Sequence, residues 1–164
     1  MKVYTKRGDR GETDLFHERV KKSDLKMDVV GTLDELIAVL SFANAANTNE
    51  EIKEILTDIR EDLSLIVPTL FGKKEPTLTN ENVSELEILI DTYSLELEPL
   101  KSFVYFENNT KSSAINVARV VTRRLERHLV KVNEIEPLNE ACLSYINRLS
   151  DLLFVLARYI EEKD

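Results

Sequence analysis

The chain has 164 residues, of which 43% are hydrophobic, and it contains only four glycines and four prolines. This composition favours one mainly helical domain (1–164) and excludes a disordered protein. Its formal net charge of −8 argues against a nucleic-acid-binding protein, because binding to phosphates along a strand needs an extended basic surface. The single cysteine, Cys142, cannot form an internal disulfide. The N-terminus is charged, and no run of about 18 apolar residues occurs in the chain. These two features predict a cytoplasmic protein without a membrane segment.

Residues 1–26 are polar and lack a helical period, so they are predicted to form an irregular loop. Gly8 and Gly11 interrupt the most polar stretch, TKRGDRGET at 5–13. Long irregular segments in compact domains are usually functional or disordered, and disorder stays the alternative here. As a functional loop, this segment would offer backbone amides, threonine hydroxyls and Lys6 to phosphate groups.

From residue 27 onward, apolar residues recur at spacings of three and four, which predicts amphipathic helices. Five such helices with short connections are typical of an all-α, up-and-down bundle in which consecutive helices pack antiparallel. An aromatic run at 102–106 and the polar residues after it are predicted to form an extended linker. The predicted helices cover about residues 27–46, 52–67, 80–98, 112–132 and 139–162.

The predicted fourth helix carries the sequence ARVVTRRLERH at 118–128. At about 100° per residue, one side of this helix holds Arg119, Arg123, Glu126 and Arg127. Another side is an apolar stripe of Ala118, Val121, Leu125, Leu129 and Val132. A row of guanidinium groups with one carboxylate among them suits a small polyanionic ligand, although a solvated face with ion pairs would show the same pattern.

The predicted fifth helix has a polar line of its own, formed by Asn147, Asp151 and Arg158 beside its apolar stripe. Polar residues in so apolar a helix cost helix propensity, which a ligand or a partner would explain. A surface ion pair between Arg148 and Asp151 would explain the aspartate equally well.

Several common chemistries have no signature in this chain. It contains no Walker-type phosphate loop, and its two histidines, His17 and His128, do not complete the ligand pairs of a di-iron bundle. One cysteine and two distant histidines cannot form a closed zinc site. The N-terminal loop and the arginine-rich helix remain, and together they could hold a triphosphate from two sides.

Four motifs in this order resemble those of the ATP:cob(I)alamin adenosyltransferases of the propanediol-utilisation (PduO) type. They are TKRGDRGET at 5–13, GTLDEL at 31–36, the arginine-rich run at 118–127 and YINRLSDLLF at 145–154. The resemblance implies a five-helix bundle that forms a homotrimer with active sites at subunit interfaces. It also implies transfer of the 5′-deoxyadenosyl group of ATP to cob(I)alamin, giving adenosylcobalamin and triphosphate.

The resemblance assigns ATP contacts to residues of the N-terminal loop and of the predicted fourth and fifth helices. In the N-terminal loop these are Thr5, Lys6, Arg7, Gly8, Thr13, Asp14 and Lys22. In the predicted fourth and fifth helices they are Arg123, Arg124, Leu125, Glu126, Arg127 and Asn147. Within this set, Arg123 and Arg127 are assigned a catalytic role, and Glu126 is a candidate ligand of Mg²⁺.

Three further positions match residues with other roles in the family. Asp34 and Arg119 match a salt bridge between subunits, and Phe103 matches a catalytic aromatic that displaces the lower axial ligand of cobalamin. Its alternative role is packing of the linker on the bundle. The family usually has a Pro-Gly-Gly turn after this aromatic, whereas this chain has FENNT at 106–110; an asparagine with positive φ could preserve a turn there.

Because the altered linker puts placement of the corrinoid in question, an ATP-binding cobalamin carrier or regulator without turnover is the alternative function. A structural bundle that binds no ATP is the third hypothesis. For the enzyme, the expected partners are ATP, reduced corrinoid and a cobalamin-dependent acceptor enzyme, with no nucleic acid and no membrane.

Overall fold

The computed structural model describes residues 2–4, 6–15, 18–72 and 76–163. Two residues from the sequence predictions, Thr5 and His17, lie outside these ranges. The described chain forms a bundle of long helices with one small hairpin near its N-terminus.

The described residues form six α-helices, of which five are long. The five predicted helices correspond to α1, α2, α4, α5 and α6, so the prediction of an all-α five-helix bundle is confirmed. The helices are α1 (Leu25–Ala46), α2 (Glu50–Leu63), α3 (Ile66–Leu70), α4 (Asn80–Ser94), α5 (Thr110–Asn133) and α6 (Glu140–Lys163).

The predicted second helix is divided, and its second part is α3. α2 ends at Leu63, and Pro68 lies inside α3 instead of after the helix. Pro68 is the third residue of α3, where its missing N–H has no intrahelical acceptor to lose. The first residues of the predicted loop at 69–79 therefore belong to a short helix.

Local capping sets where three of the helices begin. Asn49 accepts hydrogen bonds from the backbone at the start of α2, and Asn109 does the same for α5. Thr79 and Asn82 form a reciprocal capping box at α4. The cap of α4 is therefore Thr79, one residue before the predicted cap at Asn80.

The N-terminal segment contains a β-hairpin that the sequence analysis did not predict. Strands β1 (Glu12–Leu15) and β2 (Glu18–Lys21) are antiparallel, with Glu12 opposite Lys21 and Asp14 opposite Arg19. The strands are only four residues long and charged, so neither shows the apolar alternation by which strands are recognised. The expected irregular loop is therefore partly ordered by backbone pairing.

Hydrogen bonds between helices fix the direction of each one. Asn44 of α1 donates to the Lys53 carbonyl of α2, and the Arg124 guanidinium of α5 pairs with Glu35 of α1. Asn147 of α6 donates to Glu126 of α5. These pairs, with others along the same helices, show that each long helix runs opposite to the one before it.

Helices that pack against each other are not always consecutive in the chain. α1 packs against α2 and α5, while α6 packs between α5 and α4. The contacts of Arg148 with Glu87 and of Arg158 with the Glu98 carbonyl show that α4 and α6 run parallel. The segment from 95 to 109 is therefore a crossover that carries the chain from α4 past α6 to α5.

Helix α1 is apolar around most of its circumference. By length and composition it could cross a membrane, a feature that the sequence analysis did not expect, yet it packs in the bundle between α2 and α5. Only a third of its most apolar 18-residue window is buried, so much of its apolar surface faces outward. Phe42 is 58% exposed on this outer side.

Candidate functional site

The arginine row consists of Arg119, Arg123 and Arg127, spaced four residues apart on α5. Arg123 and Arg127 are exposed, and the Arg127 Nη1 donates to the Arg123 carbonyl at 3.0 Å. Among the described residues, none of the three pairs with a carboxylate. Like charges at this spacing repel, so the row is a concentrated positive charge that an anion would relieve.

Two residues in the same segment have roles in packing. The Arg124 guanidinium pairs with Glu35 of α1 and so joins the two helices. Leu125 is completely buried in the core. Its side chain faces the core, so the ATP contact that the resemblance assigns to Leu125 stays a prediction and would have to come from the backbone.

Glu126 and Asn147 are brought together across α5 and α6. The Asn147 Nδ2 donates to the Glu126 Oε1 at 2.9 Å, and the Asn147 Oδ1 accepts from Arg148 Nη1 at 2.9 Å. The structure thus places one of the polar residues of α6 directly beside the carboxylate in the arginine segment.

The other members of the polar line on α6 have structural contacts. Asp151 lies 3.5 Å from Arg148 Nη1, as the ion-pair interpretation expected. Arg158 is buried and donates to the Glu98 carbonyl and to Glu162, both at 2.7 Å. Arg158 therefore anchors the crossover segment to α6, and of the polar line only Asn147 reaches the arginine segment.

Arg119 lies against aromatic side chains at one end of the arginine row. Its guanidinium carbon is 5.8 Å from the centroid of the Phe154 ring, which makes an edge contact with Phe106 at 6.1 Å. Its Nε donates to Asn116 at 2.9 Å. Burial, followed by the positive charge of Arg123, lowers the pKa of Arg119.

Phe103 lies at the rim of a cavity of about 290 Å³ near Arg119. The side chain is 79% exposed, and its ring makes an edge contact with Tyr105 at 5.2 Å. The ring contact is within the linker, so the structure does not make Phe103 part of the bundle core. The cavity is lined by Phe103, Val104, Tyr105, Phe106, Glu107, Asn116 and Arg119.

The linker after Phe103 turns without positive φ. Asn109 has a φ of −135° and caps α5, while the Asn108 backbone and side chain both donate to Glu161 of α6. Lys6 is the one non-glycine residue with positive φ in the described chain. The expectation that an asparagine with positive φ preserves the turn is therefore wrong; side-chain hydrogen bonds hold the segment.

The predicted phosphate loop folds back on the hairpin. The Gly11 N–H donates to the Gly8 carbonyl, and the Lys22 N–H donates to the Gly11 carbonyl at 2.9 Å. Gly11 has a φ of 79° and Lys6 a φ of 59°. A side chain at Gly8 would come within 3.2 Å of the Lys22 Nζ. The absence of a Cβ at Gly8 thus lets an ammonium group approach the loop backbone, an arrangement suited to phosphate.

Asp14 pairs with two arginines of the N-terminal segment, and its predicted contact with ATP stays a prediction. Its Oδ1 lies 3.1 Å from both Arg7 Nη2 and Arg19 Nη1. Arg19 also donates to Glu12 at 2.7 Å and to the Arg7 carbonyl at 2.7 Å. Hydrogen bonds to Glu12 and then Asp14 raise the pKa of Arg19.

Sequence reasoning missed Arg19, because its role depends on the hairpin register that puts it opposite Asp14. Thr13 is the neighbour of Asp14 in β1 and, by strand alternation, faces the other side of the hairpin. The main packing contacts of the two strands are with each other and not with α5.

Comparison with known proteins gives one consistent result. The model of the cobalamin adenosyltransferase family matches residues 3–160. The chain is 36% identical to a corrinoid adenosyltransferase of Bacillus subtilis over 174 residues, covering 99% of this chain and 88% of that protein. It is also 36% identical to a corrinoid adenosyltransferase of Citrobacter freundii over 168 residues, covering 98% and 95%.

Two solved structures from Lactobacillus reuteri have the same fold. One is a phenylalanine-to-alanine variant of a PduO-type ATP:corrinoid adenosyltransferase complexed with cobalamin and ATP, with a TM-score of 0.90 and 29% identity over 98% of this chain and 93% of that chain. The other is an arginine-to-lysine variant complexed with ATP, with a TM-score of 0.89 and 28% identity over 98% and 94%.

Proposed function

The chain belongs to the cobalamin adenosyltransferase family, and from this premise we propose that Arg123 and Arg127 of the arginine row on α5 bind the triphosphate of ATP. The protein is a corrinoid adenosyltransferase that transfers the adenosyl group of ATP to a corrinoid. The observation that carries the proposed role is that Arg123 and Arg127 are exposed and have no carboxylate partner among the described residues.

The reaction requires positioning and charge stabilisation more than proton transfer. The reduced cobalt of the corrinoid supplies an electron pair to the ribose C5′, and this pair becomes the cobalt–carbon bond. The C5′–oxygen bond breaks at the same time, and the triphosphate leaves with the electron pair of that broken bond. Negative charge therefore grows on the leaving group in the transition state. Arg123 and Arg127 would stabilise this charge, because guanidinium groups bind phosphate oxygens in a fixed geometry.

In the proposed trimer, the N-terminal loop of a neighbouring subunit would contact the same triphosphate from another side, because the hairpin packs mainly on itself and not on α5 of its own chain. Lys6 has a positive φ, and the Lys22 ammonium group lies close to the backbone of Gly8. Arg7 is held by Asp14, so its guanidinium is oriented before ATP binds. Thr5 stays a predicted contact, and Thr13 a further one, from the motif alone.

Glu126 is the candidate ligand of Mg²⁺. In proteins this ion is often bound by one or two carboxylates together with substrate phosphates and water, and within the described residues no cluster of three acidic, histidine or cysteine ligands exists. One Oε of Glu126 is held by Asn147, so the carboxylate is fixed in place. Glu126 therefore suits a Mg²⁺ site with a single protein carboxylate. An ion bound there would neutralise phosphate charge.

The outer surface of α1 and α5 supports a homotrimer with interfacial active sites. Asp34 is exposed on α1, and neither it nor Arg119 has an oppositely charged partner in the described part of one copy. The pairs of Glu35 with Arg124 and of Thr48 with Lys111 set the antiparallel register of α1 and α5, which puts Phe42 at the level of Val117. The exposed apolar residues on these helices include Phe42, Val117 and Val120. An apolar surface with a carboxylate and a half-buried cation suits a second copy, in which Asp34 of one subunit pairs with Arg119 of the next.

The cavity beside Phe103 is the proposed corrinoid side of the site. It adjoins Arg119, the end of the arginine row, so a corrinoid placed there would lie near ATP on the same helix. The exposed Phe103 ring is free to contact the lower face of the corrinoid. We place the reaction in the cytoplasm and propose that a cobalamin-dependent enzyme receives the product; the negative charge and the lone buried Cys142 suit that compartment.

An anaerobic adenosylation assay tests the role of the arginine row. Arg127→Ala is expected to lower the rate at which the Co(I) absorbance disappears by about 100-fold or more, since one lost donor to a developing charge has an effect of this order. Lys131→Ala, one turn further along α5 and also exposed, is the matched control and should keep the wild-type rate. Full activity of Arg127→Ala would refute the role, whereas binding of ATP and corrinoid without triphosphate release in the wild type would indicate a carrier.

A further inference from the structure

Arg148 follows Asn147 on α6 and joins this helix to α4. Its Nη1 donates to the Asn147 Oδ1 at 2.9 Å, and its Nε donates to Glu87 Oε1 of α4 at 2.9 Å. Asn147 in turn donates to Glu126 of α5. A continuous chain of hydrogen bonds therefore runs from α4 through α6 to the arginine segment of α5.

The direction of these hydrogen bonds is fixed by charge. A guanidinium can only donate and an ionised carboxylate can only accept. Between Arg148 and Glu126, the Asn147 amide must turn its oxygen towards the arginine and its nitrogen towards the glutamate. In the reverse orientation, the Asn147 nitrogen would face the arginine, which can only donate, and the Asn147 oxygen would face the glutamate, which can only accept. Arg148 therefore selects one of the two amide orientations.

Arg148 is itself held in place from the side away from the arginine segment. Glu87 binds its Nε, and Asp151 lies 3.5 Å from its Nη1. The hydrogen bond to Glu87, with the charges of both carboxylates, raises the pKa of Arg148. The arginine side chain is 40% exposed, so a plain surface ion pair with Glu87 would be of little consequence; the contact with Asn147 is what gives it a further role.

We propose that Arg148 is a positioning residue for the adenosyltransferase reaction, acting through the Asn147 amide to hold the Glu126 carboxylate beside the arginine row. This inference rests on the proposed function, because it takes Glu126 and Asn147 to be part of the ATP site. Glu87 extends the arrangement to α4, a helix that contributes no predicted site residue. Arg148 contacts neither ATP nor corrinoid in this role.

A double-mutant cycle between Arg148 and Asn147 tests the proposal. Arg148→Met keeps the length of the side chain but removes its donors, and it is expected to lower kcat/KM for ATP by about tenfold, the loss typical of one charge-assisted hydrogen bond. In the Asn147→Ala background, the same substitution should change kcat/KM by less than about twofold, because the group that Arg148 orients is gone. Arg148→Lys should recover part of the loss, since it keeps one donor group.

The controls separate positioning from stability and from the function itself. Lys53→Met removes the cation of an exposed ion pair on α2 and should leave kcat/KM unchanged, and melting temperatures of all variants identify any loss of fold. If the effects of Arg148→Met and Asn147→Ala multiply in the double variant, Arg148 does not act through Asn147 and the proposal is refuted. A wild-type protein without adenosyl transfer would instead refute the proposed function, and the double-mutant cycle could then not be measured.

Discussion

Phe103 shows how exposure of a single residue separates activity from stability. The side chain is 79% exposed, and within the described part of the chain its ring contacts only that of Tyr105 in the same linker. A role in core packing, the alternative drawn from the sequence, is therefore not supported by its surroundings. Any large effect of removing the ring should come from a bound corrinoid.

We expect Phe103→Ala to lower the rate of corrinoid adenosylation by about fivefold, since one aromatic contact is worth about 1 kcal/mol. The free energy of unfolding should change by less than about 0.5 kcal/mol. Leu95→Ala removes another apolar side chain, 89% exposed, and is the matched control. Equal rates for the two variants in the anaerobic assay would show that Phe103 has no part in the reaction.

The residues of the arginine segment differ in what surrounds them. Arg123 and Arg127 are exposed without carboxylate partners among the described residues, while Arg124 pairs with Glu35 and Leu125 is buried. Substitutions in one motif should therefore fall into two groups. Those at Arg123 and Arg127 should affect catalysis at unchanged stability, whereas Leu125→Ala should destabilise the fold by about 2–5 kcal/mol.

At the scale of the elements, Glu161 joins α6 to the start of α5. Ser112 Oγ and Asn108 donate to its carboxylate. Burial alone would raise the pKa of Glu161, but these hydrogen bonds outweigh it and lower the pKa below the ordinary value of 4.5. This carboxylate fixes the linker that leads from Phe103 to α5.

A lowered pKa in the folded state means that the Glu161 carboxylate adds stability above about pH 4.5, where it is ionised in both states. That stability is lost as the pH falls through the lower pKa of the folded state. We expect Glu161→Gln to reduce the free energy of unfolding by about 1 kcal/mol at pH 7, with a smaller difference from wild type below pH 4.5.

Denaturant unfolding at several pH values measures this difference. Glu140→Gln changes an exposed glutamate in the first turn of the same helix and is the control for the change in charge. A difference between Glu161→Gln and wild type that grows as the pH falls would contradict the assignment of the stabilising contact.

At the scale of the whole molecule, positive and negative charge are segregated. α5 carries the arginine row, whereas α4 carries four carboxylates and no lysine or arginine. α6 packs between the two helices. The proposed triphosphate site therefore lies on a basic face of an acidic protein, which would reconcile a net charge of −8 with binding ATP.

The same side of the molecule holds the proposed subunit contact, and Phe42→Asp tests it. An aspartate at this 58% exposed position should be tolerated by the isolated fold but should oppose burial against a second copy. We expect light scattering to show a shift from trimer to monomer, with loss of adenosyl transfer because each site would lack its neighbouring subunit.

Ile88→Asp is the matched control for this substitution. Ile88 is 64% exposed on α4, away from α1 and α5, so the variant should keep the wild-type mass and activity. A monomeric wild-type protein with full activity would contradict the proposed assembly.

Much of the fold could be predicted because a helix is a local structure with a regular period. The apolar spacing identified all five long helices, and the side of each that faces the core follows from the same spacing. The motifs identified the family, the fold and the reaction. The arginine row on one side of α5 was also visible, since residues four apart on a helix share a face.

Only the tertiary structure decided which elements each face of the helices contacts. The sequence by itself determined the helices, the basic row and the family, because periodicity and motifs are read within short stretches. It did not determine the parallel contact of α4 with α6, the hairpin that brings Arg19 to Asp14, or the chain of hydrogen bonds from Glu87 to Glu126. Those depend on residues distant in the chain, and nothing in the local pattern of charge or apolarity specifies which distant partner a side chain will contact.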